Sequence, residues 1–147
     1  MEPQTILLLY LILFTLEYLW ERALEIMNIR HVQKKKTAIP SFARGRMTEE
    51  EYQTSIIYTI MKEKFGIFAS TASSLFLLLL ILSGFLGFMD TLLSGLRLDP
   101  YTTGVLYILV FALVFRLFSL PFSLFVQFSI EERFGFNKTT PAIFITD

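Results

Sequence analysis

The sequence contains no cysteine and only one histidine among its 147 residues. Without cysteine, the chain has no disulfide framework and no thiolate metal site. Charge is also scarce, at 18% of residues against about a quarter in an ordinary soluble domain. Because 13 basic residues balance 13 acidic ones, net charge gives no reason to expect a nucleic-acid partner.

The sequence is rich in long apolar segments. Hydrophobic residues make up 54% of the chain, and the mean hydropathy is +0.58. Three segments have roughly the 20 apolar residues that a bilayer crossing requires, and we place the spans at 3–24, 65–93 and 101–130. Backbone polar groups in lipid must be paired within the segment, so each span is expected to be an α-helix. The sequence predicts an all-α integral membrane protein.

Residues 25–64 are predicted to form a helical, amphipathic loop between the first two spans. The helix of the first span is expected to continue into this loop and to end near Pro40, since the residue before proline avoids α geometry. Thr48 followed by Glu51 is typical of a capping box that starts a new helix. In the third span, Pro121 is expected to kink the helix.

Basic residues are concentrated at 21–64. Nine of the thirteen lie there: Arg22, Arg30, Lys34, Lys35, Lys36, Arg44, Arg46, Lys62 and Lys64. None precedes the first span, and only Arg97 lies between the second and third spans. The positive-inside bias therefore predicts a cytoplasmic 25–64 loop, a cytoplasmic exit segment at 131–147, and an N-terminus outside.

One charge lies deep in the third span. Arg116 has uncharged residues on both sides, from Tyr101 to Ile130. An ionisable group at that depth is costly and should face protein or water. Three interpretations stay open: a lining residue of a hydrated cavity, a structural ion pair with Glu17 or Asp90, or snorkelling on a tilted helix.

Three carboxylates, Glu17, Glu21 and Glu25, follow at four-residue spacing and share one helix face. They either bind a metal or place a carboxylate at the mouth of a chamber, or they form the water-facing side of a helix that leaves the membrane. The single His31, with no cysteine or second histidine nearby, makes a poor zinc site. No catalytic residue and no metal ligand is assigned in this chain.

The polar passage SIEERFGFNKTT, residues 129–140, ends the third span. It contains adjacent carboxylates, a cation and a Gly-Phe-Asn turn, with Glu131, Glu132, Arg133 and Asn137 as its candidate functional residues. The glycine permits backbone angles that larger residues resist, and Asn137 is expected to cap the segment that follows. Polar contact with a substrate or another domain, and a purely structural turn, are both open.

This passage resembles the Glu-Glu-Lys/Arg-x-Gly-Phe-Asn-x-x-Thr stretch of the type I CAAX prenyl proteases, integral-membrane zinc metalloproteases related to the a-factor-converting enzyme. Four further stretches resemble the family in the same order: EYLWER, IRHVQKKKTAIP, EEYQTSIIYTIMKEKFGIFAS and FSLPFSLFVQFSIEERFGFN. The resemblance covers nearly the whole chain. It departs from the family at Phe134, where many relatives carry histidine.

The resemblance implies a larger multi-helix barrel around a water-filled chamber, with an HExxH helix that binds zinc and cleaves prenylated CAAX proteins. No HExxH occurs here, so we expect zinc only in the complete protein and no activity from this chain alone. The expected partners are the lipid bilayer, a catalytic part beyond Asp147 in the same or a separate polypeptide, and prenylated or membrane protein substrates. The candidates for lining the chamber or contacting substrate or the catalytic part are Arg116, Glu131, Glu132, Arg133, Asn137, Glu17 and Glu21.

Two other functions are consistent with the sequence. One is a stand-alone, non-enzymatic membrane scaffold or regulator. The other is a transporter or channel subunit with Arg116 lining its pathway. An HExxH-bearing reading frame downstream would favour the protease module over both.

Overall fold

The computed structural model describes residues 2–34, 39, 45 and 47–137. They form α1 (Pro3–Lys34), α2 (Glu49–Leu82), α3 (Phe85–Ser94) and α4 (Pro100–Phe125), and α4 continues directly into a π-helical segment, Val126–Glu131. Three helices, α1, α2 and α4 with its π-helical segment, are long and apolar enough to cross a membrane. The predicted all-helical integral membrane protein is confirmed.

Most of the apolar surface of the described residues faces outward. Seven apolar residues are buried, while large apolar side chains such as Leu8, Leu79 and Ile108 are 59%, 60% and 68% exposed. In water, such exposure over whole helices would mark an interaction surface or a liability to aggregate. In a bilayer the acyl chains cover it, and the helices need no large core of their own.

The chain divides into two units, of which the first is Met1–Ile67. Its α1 has 32 residues and is about 48 Å long, which exceeds the roughly 30 Å of bilayer hydrocarbon. The helix therefore extends beyond the membrane, as the predicted loop requires. Buried apolar side chains in this unit come from both helices: Ile29 on α1, and Tyr52 and Ile56 on α2.

The start of α2 confirms the predicted capping box. The Glu51 backbone N–H donates to the Thr48 hydroxyl at 3.2 Å, and the Thr48 N–H donates to the Glu51 carboxylate at 2.7 Å. Hydrogen bonds from the backbone and then the side chain of Thr48 lower the pKa of the Glu51 carboxyl. The box satisfies two N–H groups that a helix start otherwise leaves unpaired.

The second unit is Phe68–Asp147, and a row of phenylalanines joins α2 to α4 within it. Phe76 of α2 stacks on Phe118 with ring centroids 4.0 Å apart and meets Phe115 edge-on at 5.5 Å. One end of the row is the pair Phe68 and Phe122, at 6.0 Å. We call these five residues the aromatic seam. Such contacts supply dispersion and quadrupole attraction, which still act where lipid removes the hydrophobic force between helices.

Asp99 begins α4 as its N-cap. Its carboxylate accepts hydrogen bonds from the backbone N–H groups of Tyr101 and Thr102, both at 3.1 Å. Bonds from the Thr102 side chain first, and then from backbone groups, lower the pKa of this carboxyl. Further along α4, the Tyr107 hydroxyl donates to the Leu86 carbonyl of α3 at 3.4 Å, which sets the register of these two helices.

The predicted second span, 65–93, corresponds to parts of two helices in the structure. Its helix already begins at Glu49, so the amphipathic loop segment and the span form one continuous helix of 34 residues. It then ends at Leu82, and α3 starts after a break at Gly84, whose φ of +79° is left-handed. Glycine adopts that angle without the steric penalty of a side chain, which explains why the helix breaks there.

Proline does not end the third helix. Pro121 lies inside α4, which continues to Phe125 before it widens into the π-helical segment. Because proline has no N–H, the carbonyl four residues earlier loses its α-helical donor at this point. The helix end expected near Pro40 lies outside the described residues, and the described part of α1 ends at Lys34.

Replacing Gly84 by alanine is expected to lower the stability of the protein by about 1–2 kcal/mol, since L-residues pay that cost in the left-handed region. A Cβ there would meet no atom within 4 Å, so the loss is one of backbone conformation. Gly87→Ala is the matched control, because Gly87 is helical and equally open, and alanine should stabilise by about 0.5–1 kcal/mol. Thermal unfolding in detergent measures both variants, and equal effects would contradict the assignment.

Candidate functional site

The exit segment closes the last membrane helix with a Schellman turn. The Phe136 N–H donates to the Glu131 carbonyl at 2.9 Å, and the Gly135 N–H donates to the Glu132 carbonyl at 3.0 Å. Gly135 has a φ of +72°, as the left-handed residue of this turn requires. The chain is thus turned sharply at Gly135, and Glu131, Glu132 and Arg133 form the last helical turn before it.

That turn carries both favourable and unfavourable charges for a helix end. A helix C-terminus carries partial negative charge, so a cation such as Arg133 is favoured there and carboxylates are disfavoured. Glu131 is half-buried, and Glu132 and Arg133 are exposed. Local stability therefore does not account for the exposed Glu132 carboxylate at this helix end.

Asn137 contacts the helix that it follows. Its side-chain oxygen accepts a hydrogen bond from the Gln127 amide at 3.5 Å, and its backbone N–H donates to the Glu131 carbonyl at 3.2 Å. Gln127 lies in the π-helical segment, a wider turn that is often found at functional positions. The capping of the next segment by Asn137 concerns 138–147, which lie outside the described residues.

The exit residues are therefore brought together in one turn, and the other candidates lie elsewhere. Arg116 is exposed on α4, and among the described residues no hydrogen bond or ion pair involves it. Glu17 and Glu21 are exposed on α1 of the first unit, and Glu21 lies 3.9 Å from the Arg22 guanidinium. At that distance, and with the glutamate itself exposed, the pair contributes little to stability.

Arg22 is a residue whose role the sequence pattern did not reveal. Its side chain is only 11% exposed, and its Nη1 lies 2.8 Å from the Glu25 carboxylate. The same nitrogen donates to the Ile67 carbonyl of α2 at 3.1 Å, and the guanidinium lies 5.3 Å from the centre of the Tyr18 ring. The planar guanidinium group has several N–H donors, so it can bond a carboxylate and a carbonyl at the same time. Arg22 thus joins the membrane-proximal parts of α1 and α2.

The three-residue spacing between Arg22 and Glu25 is the sequence feature that could have predicted this ion pair. At i, i+3 from Arg22, the carboxylate is within reach on one helix face, and the two side chains bond at 3.1 Å as well. The contact with Ile67 lies 45 residues away and has no sequence signature. The predicted wet face of α1 is accordingly interrupted, because Glu25 is engaged with a nearly buried cation.

Apolar residues of α2 border an open cleft in the first unit. The cleft is lined by Ile57, Ile60 and Met61 of α2, with Lys64 of the same helix and Gln33 of α1 completing it. Its lining is predominantly apolar with a single cation. Membrane-proximal helices commonly present this mixture at the headgroup level.

No group of three or more His, Cys, Asp or Glu side chains within the described residues has an arrangement that could hold a metal ion. His31 is exposed and Glu25 is bound to Arg22. These residues do not fit a zinc centre, which needs several convergent nitrogen, sulfur or oxygen ligands.

The helices and the exit turn define this chain as an integral membrane module. A family model described as the CAAX prenyl protease N-terminal region, with five membrane helices, matches residues 28–147. The chain belongs to this family, as its exit passage and collinear stretches predicted. Of the five membrane helices in the family description, three sufficiently long helices occur in the described part of this chain, together with the shorter apolar α3.

Curated relatives support the same assignment. Over 142 residues the chain is 33% identical to the human CAAX prenyl protease 1 homolog, which covers 88% of this chain and 29% of the relative. It is 28% identical over 144 residues to the probable CAAX prenyl protease 1 of Schizosaccharomyces pombe, and the match covers 89% of this chain and 30% of the relative. It is 30% identical over 138 residues to the Arabidopsis thaliana homolog, and the match covers 88% of this chain and 32% of the relative. The chain therefore spans less than a third of the length of these relatives, and no solved structure matches it.

Arg22→Lys is expected to lower the stability of the protein by about 1.5–3 kcal/mol, because an ammonium group cannot hold the Glu25 carboxylate and the Ile67 carbonyl in the same geometry. Glu21→Gln is the matched control. Its exposed carboxylate is expected to contribute less than about 1 kcal/mol. Thermal unfolding in detergent micelles separates the two, and a larger loss in the control would contradict the role of Arg22.

Proposed function

We propose that this chain is the N-terminal membrane module of a zinc-dependent, CAAX prenyl protease-like metalloendopeptidase, and that it helps to wall an intramembrane substrate chamber. The observation that carries the proposal is the family match over residues 28–147. Relatives named as CAAX prenyl proteases are about three times longer than the matched region, which leaves room in them for a catalytic part.

Within this proposal the chain binds and positions, and the chemistry belongs to the C-terminal part. Zinc bound there would supply an activated water for peptide hydrolysis. The residues of this chain contribute membrane helices, which are joined within one unit by the aromatic seam and within the other by Arg22. Substrates are then prenylated proteins or other membrane proteins.

The exit turn is assigned to contact with the catalytic part or with substrate. The support is physical: the exposed Glu132 carboxylate lies at a helix end that disfavours it, and a departure from local stability is expected mainly at functional positions. The concentration of basic residues at 21–64 favours a cytoplasmic position for this loop and for the exit segment, with the N-terminus outside.

Glu132→Gln in the complete protein tests this role. We expect cleavage of a farnesylated CAAX peptide to fall by about tenfold, which corresponds to ~1.4 kcal/mol in the transition state. The stability of the isolated chain should stay unchanged or rise by about 0.3–1 kcal/mol, because a charge opposed to the helix dipole is removed. Glu50→Gln, an exposed change in the first turn of α2, is the control and should leave cleavage unchanged.

The same preparation tests the family-level part of the proposal. Intact mass in the native membrane should far exceed 17.0 kDa, and the purified protein should contain zinc. A 17.0 kDa protein with no associated protease would instead favour a stand-alone scaffold or regulator. Unchanged cleavage in Glu132→Gln, with zinc and activity present, would overturn only the role of the exit turn.

A further inference from the structure

The turn between α3 and α4 contains a backbone conformation that its residue type disfavours. Arg97 has a φ of +53°, in the left-handed region. The other described residues with a positive φ are all glycines: Gly45, Gly84 and Gly135. A residue with a Cβ is disfavoured there because the Cβ comes too close to the following carbonyl oxygen. Residues held in this region occur most often at functional positions, so the outlier calls for an explanation.

The hydrogen bonds of the turn do not require an arginine. The Leu96 N–H donates to the Leu93 carbonyl at 3.1 Å, and the Arg97 N–H donates to the Ser94 carbonyl at 3.2 Å. Both bonds join backbone groups, which a glycine at position 97 would form equally well and with less strain. The turn itself therefore gives no reason for the guanidinium.

The nearest carboxylate along the chain is already engaged. Asp99 is the N-cap of α4, and it accepts hydrogen bonds from the backbone N–H groups of Tyr101 and Thr102 and from the Thr102 hydroxyl. Arg97 is exposed, and across the described residues its side chain takes part in no ion pair or hydrogen bond. A guanidinium has several N–H donors and no acceptor, so an anion is its natural ligand.

The turn lies at the level of the lipid headgroups. The membrane helix that it precedes, Pro100–Glu131, has 32 residues and is about 48 Å long. A bilayer with its headgroups is roughly 40–45 Å thick. A helix of this length spans the whole bilayer, and the turn before Pro100 then lies among the headgroups at one surface. This holds for either orientation of the chain.

Exposed apolar side chains flank the arginine. Leu96 and Leu98 are 56% and 44% exposed, and Tyr101 is 88% exposed. Apolar side chains next to a cation are typical of segments that enter the boundary between headgroups and acyl chains, and tyrosine is enriched at that level. We call Leu96, Arg97, Leu98 and Tyr101 the Arg97 patch. A phospholipid matches its chemistry, because the phosphate is anionic and the acyl chains are apolar.

We infer that the Arg97 patch is a phospholipid-binding site, in which the guanidinium bonds the headgroup phosphate while the apolar side chains enter the adjacent acyl boundary. Bonds between a guanidinium and a phosphate are charge-assisted and commonly bidentate, which gives arginine an advantage over glycine at this position. The bilayer that contains the spans supplies the ligand. The inference therefore does not depend on the proposed function.

Local fluorescence quenching tests the site. The chain has no cysteine, so Ser94→Cys introduces one thiol beside the patch for a bimane label, which mass spectrometry locates in the complete protein. In neutral detergent micelles, phosphatidylglycerol with brominated acyl chains should quench this label with a measurable Kd. Diacylglycerol with the same brominated chains, which lacks the phosphate, should quench it at least about fivefold more weakly, as expected for a contribution from one surface cation.

Substitutions of Arg97 separate its charge from its backbone strain. Arg97→Ala keeps a Cβ and should raise the Kd for phosphatidylglycerol by about fivefold, whereas Arg97→Lys should stay within about twofold. Arg97→Gly should weaken binding like the alanine variant, yet raise the Tm without lipid by about 2–4 °C, because the strain is removed. Lys34→Ala removes an exposed cation of α1 and is the control, with an unchanged Kd at the label.

Three results would overturn the inference. The first is equal quenching by the phospholipid and the diacylglycerol, which would leave only apolar contact. The second is an unchanged Kd in Arg97→Ala, which would remove the guanidinium from the site. The third is a Tm for Arg97→Gly no higher than that of Arg97→Ala, which would mean that arginine occupies the position without strain.

Discussion

A bilayer offers no water to the peptide groups of a chain that crosses it, and the architecture of this protein follows from that constraint. Each membrane segment satisfies its own N–H and C=O groups as a helix of about thirty residues. Interruptions are placed where the angles or groups can be accommodated, at the left-handed Gly84 and in the Schellman turn at Gly135. Helix starts outside the apolar segments are capped by side chains, by Thr48 with Glu51 and by Asp99.

Charges follow the same constraint in two different ways. Arg22 is nearly buried, and its guanidinium bonds the Glu25 carboxylate and the Ile67 carbonyl, so its charge is compensated within the unit that contains it. Arg116 is deeper in a membrane helix and has no such compensation among the described residues. The contrast separates a cation that is compensated within its own unit from one that is exposed on α4.

The exit segment combines a stable turn with unfavourable charges. Its backbone follows the Schellman pattern, and the Asn137 side chain accepts a hydrogen bond from Gln127 in the π-helical segment. The turn is therefore stabilised by hydrogen bonds within the segment itself. The exposed Glu132 carboxylate at the end of the same helix is disfavoured by the helix dipole. The exit segment lies within the residues that match the CAAX prenyl protease N-terminal family.

Properties that depend on neighbouring residues could be predicted from the sequence. Apolar length predicted the membrane class and three spans, the Thr48–Glu51 spacing predicted a helix start, and the exit passage with its collinear stretches predicted the family. The division of the second span at Gly84 could not be anticipated in the same way, because glycine is tolerated inside membrane helices as well as at their breaks.

Contacts between distant segments required the folded chain. The bond from Arg22 to the Ile67 carbonyl joins residues 45 apart, and a backbone carbonyl has no sequence identity to recognise. The aromatic seam likewise selects five of sixteen phenylalanines, a choice set by the register of α2 against α4. The exposure of Arg116 follows from that register, since the side of α4 that packs on α2 leaves the arginine on another face. Helix formation is set by local pattern and by the bilayer, whereas the faces that meet are set by packing between segments far apart in the chain.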